Sequence, residues 1–128
     1  LIQGGVNDFS NGATLVQAQA SILSMTNKAA TDGFQKTYYV TDPPGSAMTG
    51  GQRLIQNQFN TWLLATFGSA VSDMASLLTD PVSKNLIAGA YGDGIHFVGA
   101  AKTMVAASMV KTLDWTWRKT PSSYIKAG

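Results

Sequence analysis

The chain has 128 residues, 45 % of them hydrophobic, which is enough for a single packed core. Only 12 % of the residues are Asp, Glu, Lys or Arg, and all seven acids are aspartates. The absence of cysteine excludes disulfides, thiolate catalysis and cysteine-ligated metal. The nine basic residues are scattered and form no basic face, so we expect no nucleic-acid partner despite the net charge of +2.

The first predicted helix begins near Ser10 or Asn11, either of which suits an N-cap. It ends near Gly33, because glycine readily adopts the left-handed conformation of a helix end. Between these points the apolar residues recur every three or four positions, which places them on one helical face: Leu15, Ala18, Ile22, Met25 and Ala29.

The segment "TYYVT" (37–41) has the composition of a strand, and "DPPG" directly after it is a strong turn signal. A strand needs a partner for its backbone hydrogen bonds. The tail "SSYIKA" (122–127) is the only evident partner in the sequence. We therefore predict a minor two-stranded pairing of 37–41 with 122–127.

A long amphipathic helix is predicted from Ile55 to Leu78, since the helical period of its apolar residues holds over about 25 positions. Trp62 lies on the apolar face and is predicted to be in the core. Gly68 falls inside this range and would mark a close crossing of two helices. A short third helix is predicted over 81–90, with Asp80 as its N-cap.

The last predicted helix, from Gly94 to about Arg118, is apolar on nearly every side and rich in small residues. Such a helix is surrounded by protein or lipid, so it would be the central rod of a bundle or part of a subunit interface. Its most apolar run is too short and too polar to cross a bilayer unaided. The predicted fold is a mainly all-α, compact bundle of about four helices in a single domain spanning 1–128.

The stretch "YGDGIHFVG" contains His96, the only histidine, three positions after Asp93. These two residues are the candidate catalytic pair, with His96 as a general base oriented by Asp93. No single nucleophile stands out among the many Ser and Thr residues. The simpler interpretation, which we favour, is a helix start with Asp93 as N-cap and His96 at the third helical position.

The candidate binding site is "LDWTWRK" (113–119), where two tryptophans lie two positions apart beside two cations. On a helix these tryptophans would point in nearly opposite directions, which leaves one of them exposed. Aromatic residues beside cations are typical of protein interfaces and membrane surfaces. The alternative is that one tryptophan closes the core while the other covers the end of the bundle. The residues of this candidate site are Trp115, Trp117, Arg118 and Lys119.

The sequence favours a secreted, non-enzymatic interaction protein of the effector or toxin type, which binds a protein partner or a membrane surface. The first alternative is a self-assembling subunit of a filament or coat, which would form a homo-oligomer through the last helix. The second alternative is a small enzyme or carrier of apolar ligands that uses Asp93 and His96. We expect no metal site and no cofactor, because the chain shows no metal-ligand spacing and no phosphate-binding loop.

Overall fold

The computed structural model of the chain describes residues 1–82, 86–90, 92 and 96–113. Helices make up 58 % of these residues, so the prediction of a mainly helical chain is confirmed. The helices are α1 (Val6–Ser10), α2 (Leu15–Thr31), α3 (Gly50–Phe67), α4 (Met74–Leu78) and α5 (Gly99–Thr112). Three two-residue strands accompany them: β1 (Ile2–Gln3), β2 (Tyr39–Val40) and β3 (Val71–Ser72).

The strands form one parallel sheet in the order β1-β2-β3. Tyr39 pairs with Ile2 on one side and with Val71 on the other, so both edges of β2 are occupied. The strand predicted within 37–41 is therefore present over Tyr39–Val40, and its neighbours among the described residues are β1 and β3. Residues 122–127 themselves lie outside the described part of the chain.

The main core lies between the sheet and helices α1 to α3. Phe59 is central to it, with its ring centroid 5.4 Å from that of Phe9 and 5.7 Å from that of Trp62. Tyr39 of β2 stacks on Phe67 at 3.8 Å. Trp62 is half-buried against this cluster, which agrees with its predicted place in the core. The fully buried members are Phe9, Ala18, Ile22, Tyr39, Met48, Phe59, Leu63 and Val71.

Helix α2 ends where the sequence predicts, but it begins later, at Leu15. Thr14 is its N-cap, and the Thr14 N–H donates to Gln17 Oε1 at 2.8 Å. The Gln17 N–H donates in turn to Thr14 Oγ1, which completes a capping box. This reciprocal pair satisfies two backbone donors and outcompetes the single caps that Ser10 or Asn11 would provide.

The single long helix predicted from Ile55 to Leu78 is wrong. Helix α3 ends at Phe67, where Gly68 takes a φ of 52° and turns the chain away from the helix. A short 3-10 turn, β3 and α4 follow. The apolar positions of β3 and α4 continue the helical period by coincidence, which is why periodicity alone joined three elements into one.

Helix α5 packs beside β3, and Ser72 Oγ lies 2.9 Å from Ser108 Oγ. A second, smaller cluster joins Ala101 and Val105 of α5 to Leu78, Ala90 and Phe97. Other apolar side chains of α5 are exposed, Met104 to 39 % and Val110 to 53 %. Of the two alternatives for this helix, the central rod does not fit these exposed side chains and the subunit interface stays a prediction; a bundle of about four helices is not confirmed.

The third helix is predicted over 81–90, of which the structure describes 81–82 and 86–90. None of these described residues is helical. Residues 81–82 form a turn, and the Asp80 carboxylate accepts the Val82 N–H at 3.0 Å. Leu86 forms an isolated antiparallel bridge with Thr79, and the Ile87 N–H donates to the Leu78 carbonyl. Asp80 therefore caps a turn and not a helix.

Candidate functional site

A cleft of about 640 Å³ lies at the carboxyl ends of the three strands. In open parallel sheets this is the edge where small ligands bind, because loops from successive strands meet there. The cleft has a polar wall made by the segments that follow β1 and β2, lined by Gln3, Gly4, Gly5, Asn7, Asp8 and Asp42. Its other wall is largely apolar and comes from α4, α5 and the segment before α5, lined by Met74, Phe97, Val105 and Met109 beside His96.

Gly5 shapes the turn between β1 and α1. Its φ of 123° belongs to a region that side chains rarely adopt, and a Cβ atom here would lie 2.9 Å from Gln56 Nε2. The Asp8 carboxylate accepts the Gly5 N–H at 3.0 Å and so holds the turn from the helix side. This tight turn places the exposed side chain of Asn7 at the cleft.

Asn7 contributes to the polar wall a side-chain amide that is available for hydrogen bonding. Among the described residues its side chain makes no hydrogen bond, while its carbonyl accepts the Asn11 N–H at 3.0 Å. A side-chain amide can donate to a negatively charged oxygen that develops during a reaction. Asn7 is therefore the clearest candidate in the cleft for stabilising such an oxygen.

Asp42 follows β2 and is only 5 % exposed, although it lines the cleft. Gln3 Nε2 donates to Asp42 Oδ1 at 2.7 Å. Burial raises the pKa of Asp42 from 3.8 to about 6, and the hydrogen bond from Gln3 opposes that rise. A buried carboxylate with a single neutral partner is an unusual feature that calls for an explanation.

A buried polar chain fixes the backbone of Asp42. Asn60 Nδ2 donates to the Asp42 carbonyl at 2.7 Å, and Gln56 Nε2 donates to Asn60 Oδ1 at 3.1 Å. Gln56 Oε1 is buried and lacks a hydrogen-bond partner among the described residues. Because Gln56 also lies against Gly5, helix α3 supports both the β1 and the β2 segments of the polar wall.

A second polar contact fixes the end of β2 to the start of α4. The buried Thr41 hydroxyl donates to Asp73 Oδ1 at 2.7 Å and accepts the Ala75 N–H at 3.0 Å. Asp73 also accepts the Ser76 N–H, which caps α4. These bonds place Met74, the residue between the two partners of Thr41, in the cleft wall.

His96 is exposed and lies in the cleft wall just before α5. Two backbone hydrogen bonds hold its segment: the Gly92 N–H donates to the His96 carbonyl, and the Val98 N–H donates to the Ala90 carbonyl, both at 3.1 Å. Helix α5 begins only at Gly99, with Val98 as its N-cap. The favoured interpretation of His96 as the third residue of a helix is therefore wrong.

The other predicted site residues fall outside the described part of the chain. They are Asp93, Trp115, Trp117, Arg118 and Lys119. The predicted interaction surface around the two tryptophans, and the secreted effector function that depends on it, remain predictions. Within the described residues no three His, Cys, Asp or Glu side chains lie close enough to hold a metal ion.

Sequence reasoning missed the polar wall of the cleft. Gln3, Asn7 and Asp42 attract no attention as motifs, because each is a single polar residue near a glycine or a proline. The signal that could have found them is their position at or soon after the end of a strand: Gln3 ends β1, Asn7 lies in the helix that follows it, and Asp42 follows β2. Strands of two residues have too short a hydrophobic pattern to reveal that position.

Comparison of the chain with known protein families, with curated proteins and with solved structures finds no match in any of the three. None of the helices in the described ranges is long and apolar enough to cross a membrane. The function therefore has to be inferred from the chemistry of the cleft. Its lining combines a general acid–base group, an amide donor and a buried carboxylate with an apolar surface.

Proposed function

We propose that the chain is a hydrolytic enzyme domain that cleaves an ester of a small amphipathic substrate, with His96 as the general base. The observation that carries the proposal is that one cleft brings His96 together with Asn7, although 89 positions of sequence separate them. The apolar wall would hold the hydrocarbon part of the substrate, and the polar wall would hold its carbonyl group.

In the proposed reaction His96 removes a proton from a hydroxyl group as that group attacks the ester carbonyl. The carbonyl oxygen becomes negatively charged, and the Asn7 amide donates a hydrogen bond to it. Collapse of the intermediate expels the alcohol, which receives the proton back from His96. Asp93, three positions before His96 in the sequence, is the candidate carboxylate for holding the imidazole in place.

The attacking hydroxyl is that of a water molecule or of a side chain outside the described lining of the cleft. Within that lining there is no Ser, Thr or Tyr residue. A water nucleophile gives direct hydrolysis, whereas a side-chain hydroxyl gives a covalent acyl intermediate that water then hydrolyses. A burst of alcohol release before the steady state would distinguish the second route from the first.

The test is hydrolysis of p-nitrophenyl esters of acetate, butyrate and hexanoate by the chain and its variants. We expect saturable turnover that His96→Gln lowers about 100-fold or more in kcat, the usual contribution of a general base. Asn7→Ala should lower kcat by a similar factor of about 100, because its donor acts on charge that develops only in the transition state.

Lys102→Gln is the matched control, because Lys102 is an exposed residue of α5 outside the cleft lining. It should leave kcat and KM unchanged. A rate that rises linearly with ester concentration and responds to His96→Gln but not to Asn7→Ala would show only the background reactivity of an exposed imidazole. That result would contradict the proposal.

A further inference from the structure

Asp42 takes no part in the proposed hydrolysis, yet it is the most deeply buried charged side chain of the cleft. At 5 % exposure its carboxylate is shielded from bulk water, and Gln3 is its only side-chain partner among the described residues. A buried carboxylate normally has a cationic partner or several donors, because desolvation of the charge is otherwise unfavourable. The described residues supply the Asp42 carboxylate with one neutral donor, Gln3 Nε2, at Oδ1.

Gln3 Nε2 keeps a second N–H group, and two oxygens of this pair remain as acceptors. Because Gln3 uses Nε2 as the donor, its carbonyl oxygen Oε1 is left to accept, and so is Oδ2 of Asp42. Neither oxygen has a hydrogen-bond donor among the described residues, and both side chains line the cleft. The other ionisable groups in the described lining of the cleft are Asp8, which is acidic, and His96. This corner of the cleft therefore offers acceptors and negative charge.

We propose that Asp42 and Gln3 form a specificity subsite that binds a protonated amino group of the substrate. An ammonium group would supply a positive charge to compensate the negative charge of the buried carboxylate. Its N–H donors also match the free oxygens of Asp42 and Gln3. This inference rests on the proposed function only in taking the cleft as the substrate site. It names the substrate class more closely, as an ester that carries a primary amine beside a hydrocarbon portion.

The raised pKa of Asp42, about 6, fits this role because the carboxylate is still ionised at neutral pH. A bound cation would stabilise the ionised form and lower that pKa. The other ionisable groups of the cleft lining are Asp8 of α1 and His96 before α5, and Asp73 is bonded to Thr41, the residue before Asp42. Any pH series has to separate their titration from that of Asp42.

The experiment compares three probes that share one hydrocarbon chain: hexylamine, 1-hexanol and hexanoate. Binding to the whole chain is measured at pH 7.5 by calorimetry and by the shift of the imidazole NMR signal, which is unambiguous because the chain has one histidine. We expect hexylamine to bind about tenfold more tightly than 1-hexanol, since a hydrogen bond to a charged group is stronger than one to a neutral group. Hexanoate should bind most weakly.

Asp42→Asn should remove the preference for hexylamine and leave the affinity for 1-hexanol unchanged. Asp32→Asn is the charge-matched control, because Asp32 is exposed at the end of α2 and pairs with Lys28 outside the cleft. If Asp42→Asn does not fold, the same question is answered by lowering the pH from 7.5 to 5 in the His96→Gln protein. Protonation of Asp42 should then weaken hexylamine binding about tenfold.

The outcomes separate this inference from the proposed function. Equal affinity for hexylamine and 1-hexanol, unchanged in Asp42→Asn, would overturn the amine subsite while leaving the cleft as a ligand site. If no probe binds or shifts the imidazole signal, the cleft is not a ligand site and both proposals fail. A hexylamine preference that survives Asp42→Asn would also overturn the assignment, because Asp8 or Asp73 would then be its source.

Discussion

The two walls of the cleft are built in different ways. The polar wall rests on the main core, where large aromatic side chains are almost fully buried around Phe59. The wall that carries His96 rests on the second cluster, and two of its three buried members among the described residues are alanines, Ala90 and Ala101. Small side chains bury little apolar area, so the described part of this cluster contributes less hydrophobic free energy than the main core.

The difference in packing matches a difference in the groups that the two regions hold. The rigid region holds Asn7 and Asp42, which have to keep a fixed position to bind a carbonyl group and an amine. His96 lies beside the cluster that buries less apolar area among the described residues, and regions with little buried apolar area open locally at lower free energy.

The strongest test of this comparison is removal of the central aromatic side chain. Phe59→Ala should lower the free energy of unfolding by about 3–5 kcal/mol in a denaturant titration, because it leaves a cavity among buried rings. Phe34→Ala is the control, since Phe34 is 67 % exposed, and should change it by less than about 0.5 kcal/mol. Equal effects of the two substitutions would show that the main core is not centred on Phe59.

The next largest effect is expected at the β1–α1 turn. Gly5→Ala should destabilise the fold by about 2–3 kcal/mol, because a methyl group would strain the backbone and meet the Gln56 amide. Gly12→Ala is a matched control. Gly12 also has a positive φ, 88°, but a Cβ atom added there would meet no atom within 4 Å apart from those of the adjacent residues. It should cost about 1 kcal/mol. The difference between the two in thermal unfolding measures how tightly α3 supports the turn.

Asp42→Asn should act in the opposite direction and stabilise the protein at pH 8 by about 1–3 kcal/mol. The folded-state pKa of Asp42 is about 6, above the ordinary value of 3.8, so the folded state binds the proton more tightly than the unfolded state does. The free energy of unfolding therefore falls as the pH rises from about 4 to 6, and the full penalty applies above that window. Asn at this position is neutral at every pH and removes the penalty.

The measurement is chemical denaturation of both proteins at several pH values between 4 and 8. The stability of the wild type relative to Asp42→Asn should decline across the window from pH 4 to 6. A constant difference between the two proteins over the whole range would contradict the raised pKa. A stabilised variant that has lost its preference for an amine would show that the native residue is retained for binding.

The smallest effect is expected on the open side of α5. Met104→Gln and Val110→Thr should each change the free energy of unfolding by less than about 0.5 kcal/mol in dilute solution, because both side chains are partly exposed. Light scattering over a wide range of concentration tests the alternative of self-assembly through this side. Assembly that these substitutions weaken would support that alternative; a monomer at every concentration would argue against it.

Local signals in the sequence predicted several elements well. The end of α2, the strand at Tyr39–Val40 and the helical content all follow from periodicity and turn residues. The sheet could not be predicted, since β1 and β3 are two residues long and pair only with distant parts of the chain. Gly68 was the one local sign that α3 stops, and its left-handed φ becomes visible only in three dimensions.

Of the candidate site, the sequence predicted His96 but favoured the wrong role for it. A helix start and a catalytic loop use the same residues; the position of Val98 as the N-cap of α5 overturns the helix start, and the catalytic role of His96 stays a prediction. The residues opposite His96 could not be predicted, because the cleft forms between segments that are distant in the chain. Asp42 is conspicuous only through its burial, which no local pattern of polar residues reveals.

The parallel order of the strands also determines how the molecule has to assemble. Ile2 pairs with Tyr39 and Tyr39 pairs with Val71, so each step closes a loop of more than 30 residues. Closing such loops takes conformational entropy from the chain before any strand contact forms. We expect refolding over roughly milliseconds or longer, where a helical bundle needs about microseconds to milliseconds.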